Sequence, residues 1–129
     1  MTAGTAAAAR RPIVTIVDDD PAVCGSLKFS LELEGFAIRT YRNASEILEA
    51  PDLGACDCFV IDQRMPQMSG MELNDVLRRR CVFTPAILII SHPSAALSTR
   101  AAKASVPIVE KPLLSNALVE RIREACGLA

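Results

Sequence analysis

Acidic residues follow two apolar segments of this sequence, and their positions suggest chemistry with a cation or a phosphoryl group. They are Asp18, Asp19, Asp20 and Asp62. The first three come directly after Ile13–Val17, and the fourth comes after residues 59–61. Close carboxylates repel one another in a folded protein, so a cluster of them is typical of a site that binds a hard cation. Mg²⁺ in particular takes one or two carboxylates and keeps waters and phosphate oxygens as its other ligands.

Two more polar residues stand at the ends of later apolar segments. Ser91 follows residues 85–90, and Lys111 comes shortly after residues 107–109. A carboxylate can attack a phosphoryl group and form an acyl phosphate when a cation and a fixed ammonium offset the charge on that group. Lys111 offers the ammonium, and the Ser91 hydroxyl can hydrogen-bond a phosphoryl oxygen once it is attached. Asp62 is then the candidate nucleophile.

The elements that must position these residues alternate between strand patterns and helix patterns. Short apolar segments predict strands at residues 13–17, 36–41, 59–61, 85–90 and 107–109. Helical spacing and stop signals predict helices at residues 21–34, 44–50, 70–80, 95–104 and 115–126. Asp20 is expected to cap the first helix. This alternation predicts an α/β fold, a doubly wound parallel sheet with helices on both faces, whose carboxyl edge gathers the polar residues.

Composition and charge narrow the range of functions. The chain has 129 residues, half of them hydrophobic, which favours one domain with a single core. Its formal net charge of -1 gives no general attraction to nucleic acid or to anionic lipid. No segment approaches the roughly 18 apolar residues of a membrane span. We therefore expect a soluble, cytoplasmic protein that binds neither nucleic acid nor membrane directly, with residues 1–11 as a disordered tail.

The cysteines favour a structural role over metal binding. They are Cys24, Cys56, Cys58, Cys81 and Cys126. They lie scattered in apolar segments without the paired C-x-x-C spacing of a zinc site. We interpret them as reduced thiols of the core.

Four short strings of residues stand in a recognisable order and spacing. They are Val17-Asp18-Asp19-Asp20, Ile61-Asp62-Gln63-Arg64-Met65-Pro66-Gln67-Met68-Ser69-Gly70, Ile90-Ser91 and Glu110-Lys111-Pro112. Together they resemble the response regulator receiver domains of two-component signalling, most of all the receivers of nitrogen-fixation-type regulators. The resemblance implies a receiver domain at residues 12–127 with the flavodoxin-like (βα)5 fold, a five-stranded sheet and the strand order 2-1-3-4-5.

The resemblance also assigns roles at the phosphoryl site. It implies that Asp62 is the phosphoacceptor and that the donor is a histidine kinase or a phosphotransfer protein. It implies an Mg²⁺ ion with Asp19, Asp62 and the backbone carbonyl of Arg64 as direct ligands, and with Asp18 acting indirectly. Asp20 matches no family duty beyond the helix cap. Such a module catalyses its own phosphorylation and dephosphorylation and is not otherwise an enzyme.

The remaining positions of the resemblance concern the switch and the partners. Ser91 fills the switch hydroxyl position, and Lys111 fills the position of the phosphate-binding lysine, which this family links to the next proline by a cis peptide. Phosphorylation is expected to change binding to a downstream protein partner or effector domain, and a phosphorylation-dependent dimer is compatible with this. Both a stand-alone receiver and the receiver portion of a longer regulator agree with the residues.

Some residues near the fourth and fifth strands depart from the family pattern. His92 follows Ser91 where alanine or glycine is usual, and we hypothesise that its bulk slows phosphorylation or dephosphorylation. Pro93 and the weak helix formers after it predict a short, shifted or mobile fourth helix. Ile108 falls where the family has a switch aromatic, and an aliphatic side chain cannot make the same ring movement. The face formed by the fourth helix, fifth strand and fifth helix is therefore expected to be atypical.

Two alternatives stay open at this point. A degenerate receiver would bind a partner without a working phosphoswitch, which the departures at His92, Pro93 and Ile108 favour. A small phosphatase of the haloacid dehalogenase type would use Asp18 as its nucleophile, because Asp18-x-Asp20 after a strand and a later lysine imitate its motifs. The missing acidic motif after that lysine argues against the phosphatase.

Overall fold

A five-stranded parallel sheet forms the centre of the computed structural model, which describes residues 11–113 and 115–128. The strands are β1 Ile13–Val17, β2 Ala37–Tyr41, β3 Cys58–Asp62, β4 Ala86–Ile90 and β5 Ile108–Glu110. Their order across the sheet is β2-β1-β3-β4-β5, and each neighbouring pair is parallel. The predicted fold class and strand order are confirmed. Residues 1–10 of the predicted tail lie outside the described residues.

Helices alternate with the strands and cover both faces of the sheet. In the described part of the chain they are α1 Pro21–Leu33, α2 Ala44–Leu48, α3 Gly70–Arg79, α4 Ala95–Lys103 and α5 Ala117–Ala125. α1 and α5 pack on one face, where Leu31 and Ile122 share a core cluster with Val60 of β3. α2 and α3 pack on the other face through residues such as Ile47 and Leu73. None of these helices is long and apolar enough to cross a membrane.

The middle strands are buried from both sides. Every residue of β3 is buried, and so are the first four residues of β4. Successive side chains enter opposite layers, since Val60 belongs to the cluster under α1 and α5 while Ile61 belongs to the cluster under α2 and α3. Such strands are apolar throughout because neither face meets water. Asp62, the last residue of β3, is thereby placed at the carboxyl edge.

The helices that follow β1 and β3 begin at defined caps. Asp20 Oδ1 accepts the backbone N–H of Ala22 at 2.9 Å, and Pro21 occupies the first turn of α1. The predicted cap is confirmed. α3 begins with a capping box, in which Ser69 and Glu72 each accept the backbone N–H of the other. Both caps fix where the chain leaves the strand ends.

The corner formed by α4 and β5 carries the residues that depart from the family pattern. α4 spans nine residues, Ala95–Lys103, which agrees with the predicted helix at residues 95–104. A short, shifted or mobile fourth helix relative to related receivers stays a prediction. Its start is fixed because Ser94 Oγ accepts the backbone N–H of Leu97 at 3.1 Å. Ala101 is the buried residue of this helix. Ile108 is partly buried and packs against the cluster that contains Ala101, so the aliphatic replacement of the switch aromatic faces inward.

The core interpretation of the cysteines fails at one position. Three of them are buried, namely Cys24, Cys56 and Cys58, and Cys126 is half-buried. Cys81 is exposed and has a φ of 62° in the turn that follows α3. A left-handed residue at this place is a common way to end a helix. Cys81 therefore belongs to a helix stop and not to the core.

Candidate functional site

The carboxyl edge of the sheet brings together an acidic pair from β1 and β3 and a lysine from the loop after β5. Asp18 is 1% exposed and Asp62 is 4% exposed. Lys111 Nζ lies 3.4 Å from Asp62 Oδ1 and 3.8 Å from Asp18 Oδ2. Three polar residues that the sequence places at separate strand ends therefore form one cluster, in which the half-buried Lys111 ammonium faces two buried carboxylates.

Asp18 has one carboxylate oxygen satisfied by the protein and one that is not. Its Oδ1 accepts the backbone N–H of Asp20 at 2.9 Å. No hydrogen bond from the described residues reaches Oδ2, which is fully buried. Burial raises the pKa of Asp18, the Asp20 N–H opposes that change, and the charge of Asp62 adds to it. A buried acceptor without a donor costs about 1–3 kcal/mol, so this oxygen favours a ligand that brings positive charge.

Asp62 lies in a similar environment but is closer to the Lys111 ammonium. Burial raises the pKa of its carboxyl group, while the Lys111 ammonium and the backbone N–H of Arg64 act in the opposite direction. That N–H lies 3.4 Å from Asp62 Oδ1, which makes it a long and weak hydrogen bond. Two carboxylates that share one ammonium in a dry setting are both less acidic than usual, because neither has enough positive charge around it.

Asp19 completes a group that fits a divalent cation. One carboxylate oxygen from each of Asp18, Asp19 and Asp62 lies within 4.8 Å of the others. Asp19 is exposed, so the group opens to solvent on one side. Mg²⁺ prefers carboxylate oxygens and retains several waters, which needs such an open side. The hard-oxygen donors and the unsatisfied Asp18 oxygen agree with the predicted ion.

Gln63 and Gly70 hold the start of α3 against the end of β3, a role that sequence reasoning missed. The Gly70 N–H donates to the Gln63 carbonyl at 3.1 Å, and Gln63 Oε1 accepts the N–H of Met71 at 2.9 Å. A Cβ at Gly70 would lie 2.7 Å from the Asp62 carbonyl oxygen and 2.7 Å from Leu88 Cδ1. Close approach of two backbones therefore requires glycine here. The signal was present in the string from Asp62 to Gly70.

The other predicted site residues lie at the same edge of the sheet. Ser91 and His92 come directly after β4, and both are exposed. They line one cavity together with Lys111. The Lys111-Pro112 peptide is cis, as the resemblance implies. The side chain of Arg64 points to solvent, so its backbone is the part that lies near Asp62.

The chain is similar to known proteins along nearly its whole described length. A family model for the response regulator receiver domain matches residues 14–123. The transcriptional regulatory protein FixJ of Rhizobium meliloti is 38% identical over 114 residues, which is 87% of this chain and 55% of FixJ. The crystal structure of FixJ-N is 34% identical with a TM-score of 0.80, and the match covers 93% of this chain and 97% of that one.

A further solved structure was obtained with a ligand. The response regulator protein TrrA of Thermotoga maritima, in complex with Mg²⁺-BeF, aligns with a TM-score of 0.77 at 25% identity. The alignment covers 88% of this chain and 98% of TrrA. The chain spans about half the length of the curated relatives it matches, 53% to 55% of each.

Proposed function

This chain belongs to the response regulator receiver family, and from that premise we propose that Asp62 accepts a phosphoryl group from a histidine kinase or a phosphotransfer protein. The observation that carries the proposal is the nearly buried Asp62 carboxylate, with the Lys111 ammonium 3.4 Å from its Oδ1. In this reaction an oxygen of Asp62 forms a bond to phosphorus while the bond from phosphorus to the donor nitrogen breaks. The product is an acyl phosphate on the end of β3.

Lys111 has two roles in this proposal. Before transfer its ammonium offsets the charge of Asp62, which keeps the carboxylate available in spite of its burial. After transfer the same ammonium contacts a phosphoryl oxygen, because the new group grows from the carboxylate that Lys111 already faces. The hydroxyl of Ser91 donates to another phosphoryl oxygen from the end of β4.

Asp18, Asp19 and Asp62 would hold Mg²⁺, with Asp19, Asp62 and the backbone carbonyl of Arg64 as direct ligands and Asp18 in an indirect role. When bound, the ion offsets the negative charge that the transferring phosphoryl group carries. The buried Asp18 Oδ2 without a hydrogen bond supports this assignment, and so does the similarity to TrrA, which was crystallised with Mg²⁺-BeF.

We further propose that phosphorylation switches the binding of a protein partner or an attached effector domain. A phosphoryl group adds nearly two negative charges at the edge where Ser91 leaves β4. That charge biases the chain toward whichever conformation satisfies it better, and the bias extends to α4 and β5. A phosphorylation-dependent dimer through this face is one form that such a switch can take.

Acetyl phosphate with Mg²⁺ provides the direct test. Intact mass measurement should show the addition of one phosphoryl group, and hydroxylamine should remove it because it cleaves acyl phosphates. Asp62→Asn should abolish the addition, and so should removal of Mg²⁺ by a chelator. Asp20→Asn serves as the matched control, since Asp20 is engaged as a helix cap and should leave labelling intact.

The same experiment separates the competing functions. A haloacid dehalogenase phosphatase would lose its covalent intermediate with Asp18→Asn and keep it with Asp62→Asn. A degenerate receiver would show no labelling with any donor. One observation favours a degenerate receiver, namely that Ile108 faces inward at the position of the switch aromatic. If Asp62 were labelled but partner binding did not change, the phosphoacceptor would work and the conformational switch would not.

A further inference from the structure

An open cavity of about 700 Å³ lies between α1 and the loops that follow β4 and β5. Its volume lies within the range of small-molecule sites, roughly 300–1,000 Å³. The three carboxylates of the phosphoryl site do not line it, whereas Lys111 does. The cavity therefore adjoins that site and shares Lys111 and Ser91 with it.

The cavity lining combines apolar and polar residues. Apolar contacts come from Val23, Leu27 and Ala22 of α1 and from Pro112 and Leu113 of the loop after β5. The polar lining comprises Ser26, Ser30, Ser91, His92 and Lys111. Ligand sites typically combine a mostly apolar wall with a few convergent polar groups in this way. The polar groups here include a permanent cation and no acid.

Most of these polar groups have no partner in the protein. Within residues 11–113 and 115–128, the side chains of Ser26, Ser91 and His92 make no hydrogen bond, although all three are exposed at the cavity. Lys111 has its ion pairs at 3.4 and 3.8 Å, which leaves donor capacity on an ammonium whose side chain is 26% exposed. All of these groups can donate a hydrogen bond to one ligand, and the Lys111 ammonium, which donates only, favours a ligand that supplies an anionic acceptor.

We propose that this cavity binds a small amphipathic monocarboxylate. The carboxylate would accept hydrogen bonds from Lys111 and from Ser91 or His92, and its apolar body would lie against Val23 and Leu27. A dianionic phosphate is less suitable because Asp18 and Asp62 lie within 3.8 Å of the same ammonium and repel each added negative charge. A neutral ligand would leave the Lys111 donor without a charged acceptor.

Such a ligand opposes phosphorylation because both need Lys111. This consequence rests on the proposed function, in which Lys111 contacts the phosphoryl group. A carboxylate that occupies Lys111 should slow labelling of Asp62. At equilibrium the coupling is reciprocal, so the factor by which the bound carboxylate disfavours the phosphorylated form equals the factor by which phosphorylation of Asp62 weakens carboxylate binding. The cavity would thus let a metabolite-like anion hold the chain in its unphosphorylated form.

Titration with 3-phenylpropanoate tests the binding itself. His92 is the single histidine of the chain, so its imidazole proton resonances report on the cavity without assignment of the whole spectrum. We expect a saturable shift with a dissociation constant on the order of 1 mM, the range that a probe of this size can reach. The neutral amide 3-phenylpropanamide should bind at least tenfold more weakly. Equal binding of acid and amide, or no saturable shift, would overturn the proposal.

Two variants locate the binding. Ser26→Phe should fill the cavity from α1 and weaken the carboxylate at least tenfold, whereas Ser45→Phe places the same change on exposed α2 and should have no effect. Circular dichroism confirms that both are folded. Undiminished binding to Ser26→Phe would overturn the assignment of the cavity.

The competition experiment distinguishes this proposal from the proposed function. Acetyl phosphate labelling of wild-type chain should slow at saturating 3-phenylpropanoate, while labelling of Ser26→Phe should not respond to the probe. Binding without any labelling of Asp62 would count against the phosphoacceptor role and leave the cavity assignment standing. Normal labelling that saturating probe does not slow would overturn the shared use of Lys111.

Discussion

Gly70→Ala should destabilise the protein although alanine is the better helix former. The added Cβ would lie 2.7 Å from the Asp62 carbonyl oxygen, 2.7 Å from Leu88 Cδ1 and 3.0 Å from Gln63 Cα. Two of these three atoms belong to the backbone and cannot rotate away, and Leu88 is 1% exposed in the core. Overpacking of this kind costs typically 1–3 kcal/mol for each site, and helix propensity returns at most about 1 kcal/mol.

With two backbone atoms in the clash, the cost should lie in the upper half of that range, so the net loss should be about 1–2 kcal/mol, measured as the free energy of unfolding in urea. With a slope of about 1–3 kcal/mol per molar, the midpoint should fall by roughly 1 M. Gly25→Ala is the matched control, because nothing lies within 4 Å of a Cβ at that exposed position of α1. That change should stabilise the protein by about 0.5–1 kcal/mol.

The two glycine variants should change the free energy of unfolding in opposite directions, so the comparison tests the argument directly. A Gly70→Ala midpoint at or above that of wild type would refute the close-approach argument. If both variants were destabilised equally, the gain in helix propensity expected at Gly25 of α1 would be wrong. Labelling of Gly70→Ala by acetyl phosphate should also slow, because relief of the clash displaces the backbone that carries Asp62.

Two further predictions concern charge and loop structure. Burial raises the pKa of Asp62 in the folded chain above its ordinary value of 3.8. The folded chain therefore binds that proton more tightly than the unfolded chain does. As a result, stability is lost as pH rises from 3.8 through the folded pKa. At pH 7 without Mg²⁺, Asp62→Asn should therefore unfold at a higher urea concentration than wild type. This gain in stability should disappear below pH 3.8, and a gain that does not depend on pH would contradict the argument. Arg78 Nη1 donates to the carbonyls of Val82 and Thr84 at 2.8 Å each. Arg78→Met should therefore lower the free energy of unfolding in urea by about 1–3 kcal/mol. Arg79→Met, at an exposed position, should lower it by less than about 0.5 kcal/mol. Equal effects of the two arginine variants would show that these bonds add nothing.

The placement of the site is predictable because it follows from topology. Asp18, Asp62 and Lys111 come from three strands of a parallel sheet, and all such strands end at one edge. Once the alternation of strands and helices is recognised, these side chains must meet. The position of Asp20 is predictable for a local reason, since a short acid before a proline and an apolar helix is a standard cap.

The details of packing are not predictable in the same way. In α3 the apolar Val76 is only half-buried, whereas Leu73 and the polar Asn74 are buried. An amide at a buried position contradicts its hydropathy, so no pattern of apolar residues would select it. The string from Asp62 to Gly70 marks where α3 begins, but the close approach at Gly70 also involves Leu88 of β4, which lies far away in the sequence.

The burial of the cysteines gives the protein a graded series of thiol reactivities. Burial raises the pKa of Cys24, Cys56 and Cys58, so the thiolate that reacts with alkylating reagents forms only when the surrounding layer opens. Cys58 lies in the layer under α1 and α5, and Cys56 lies in the layer under α2 and α3. Cys81 is exposed, so it should react first, and its alkylation rate gives the reference value for an unprotected thiol. Protection factors at Cys58 and Cys56 would then measure the free energy of opening of each layer separately, in a chain that has no tryptophan to report on its folding.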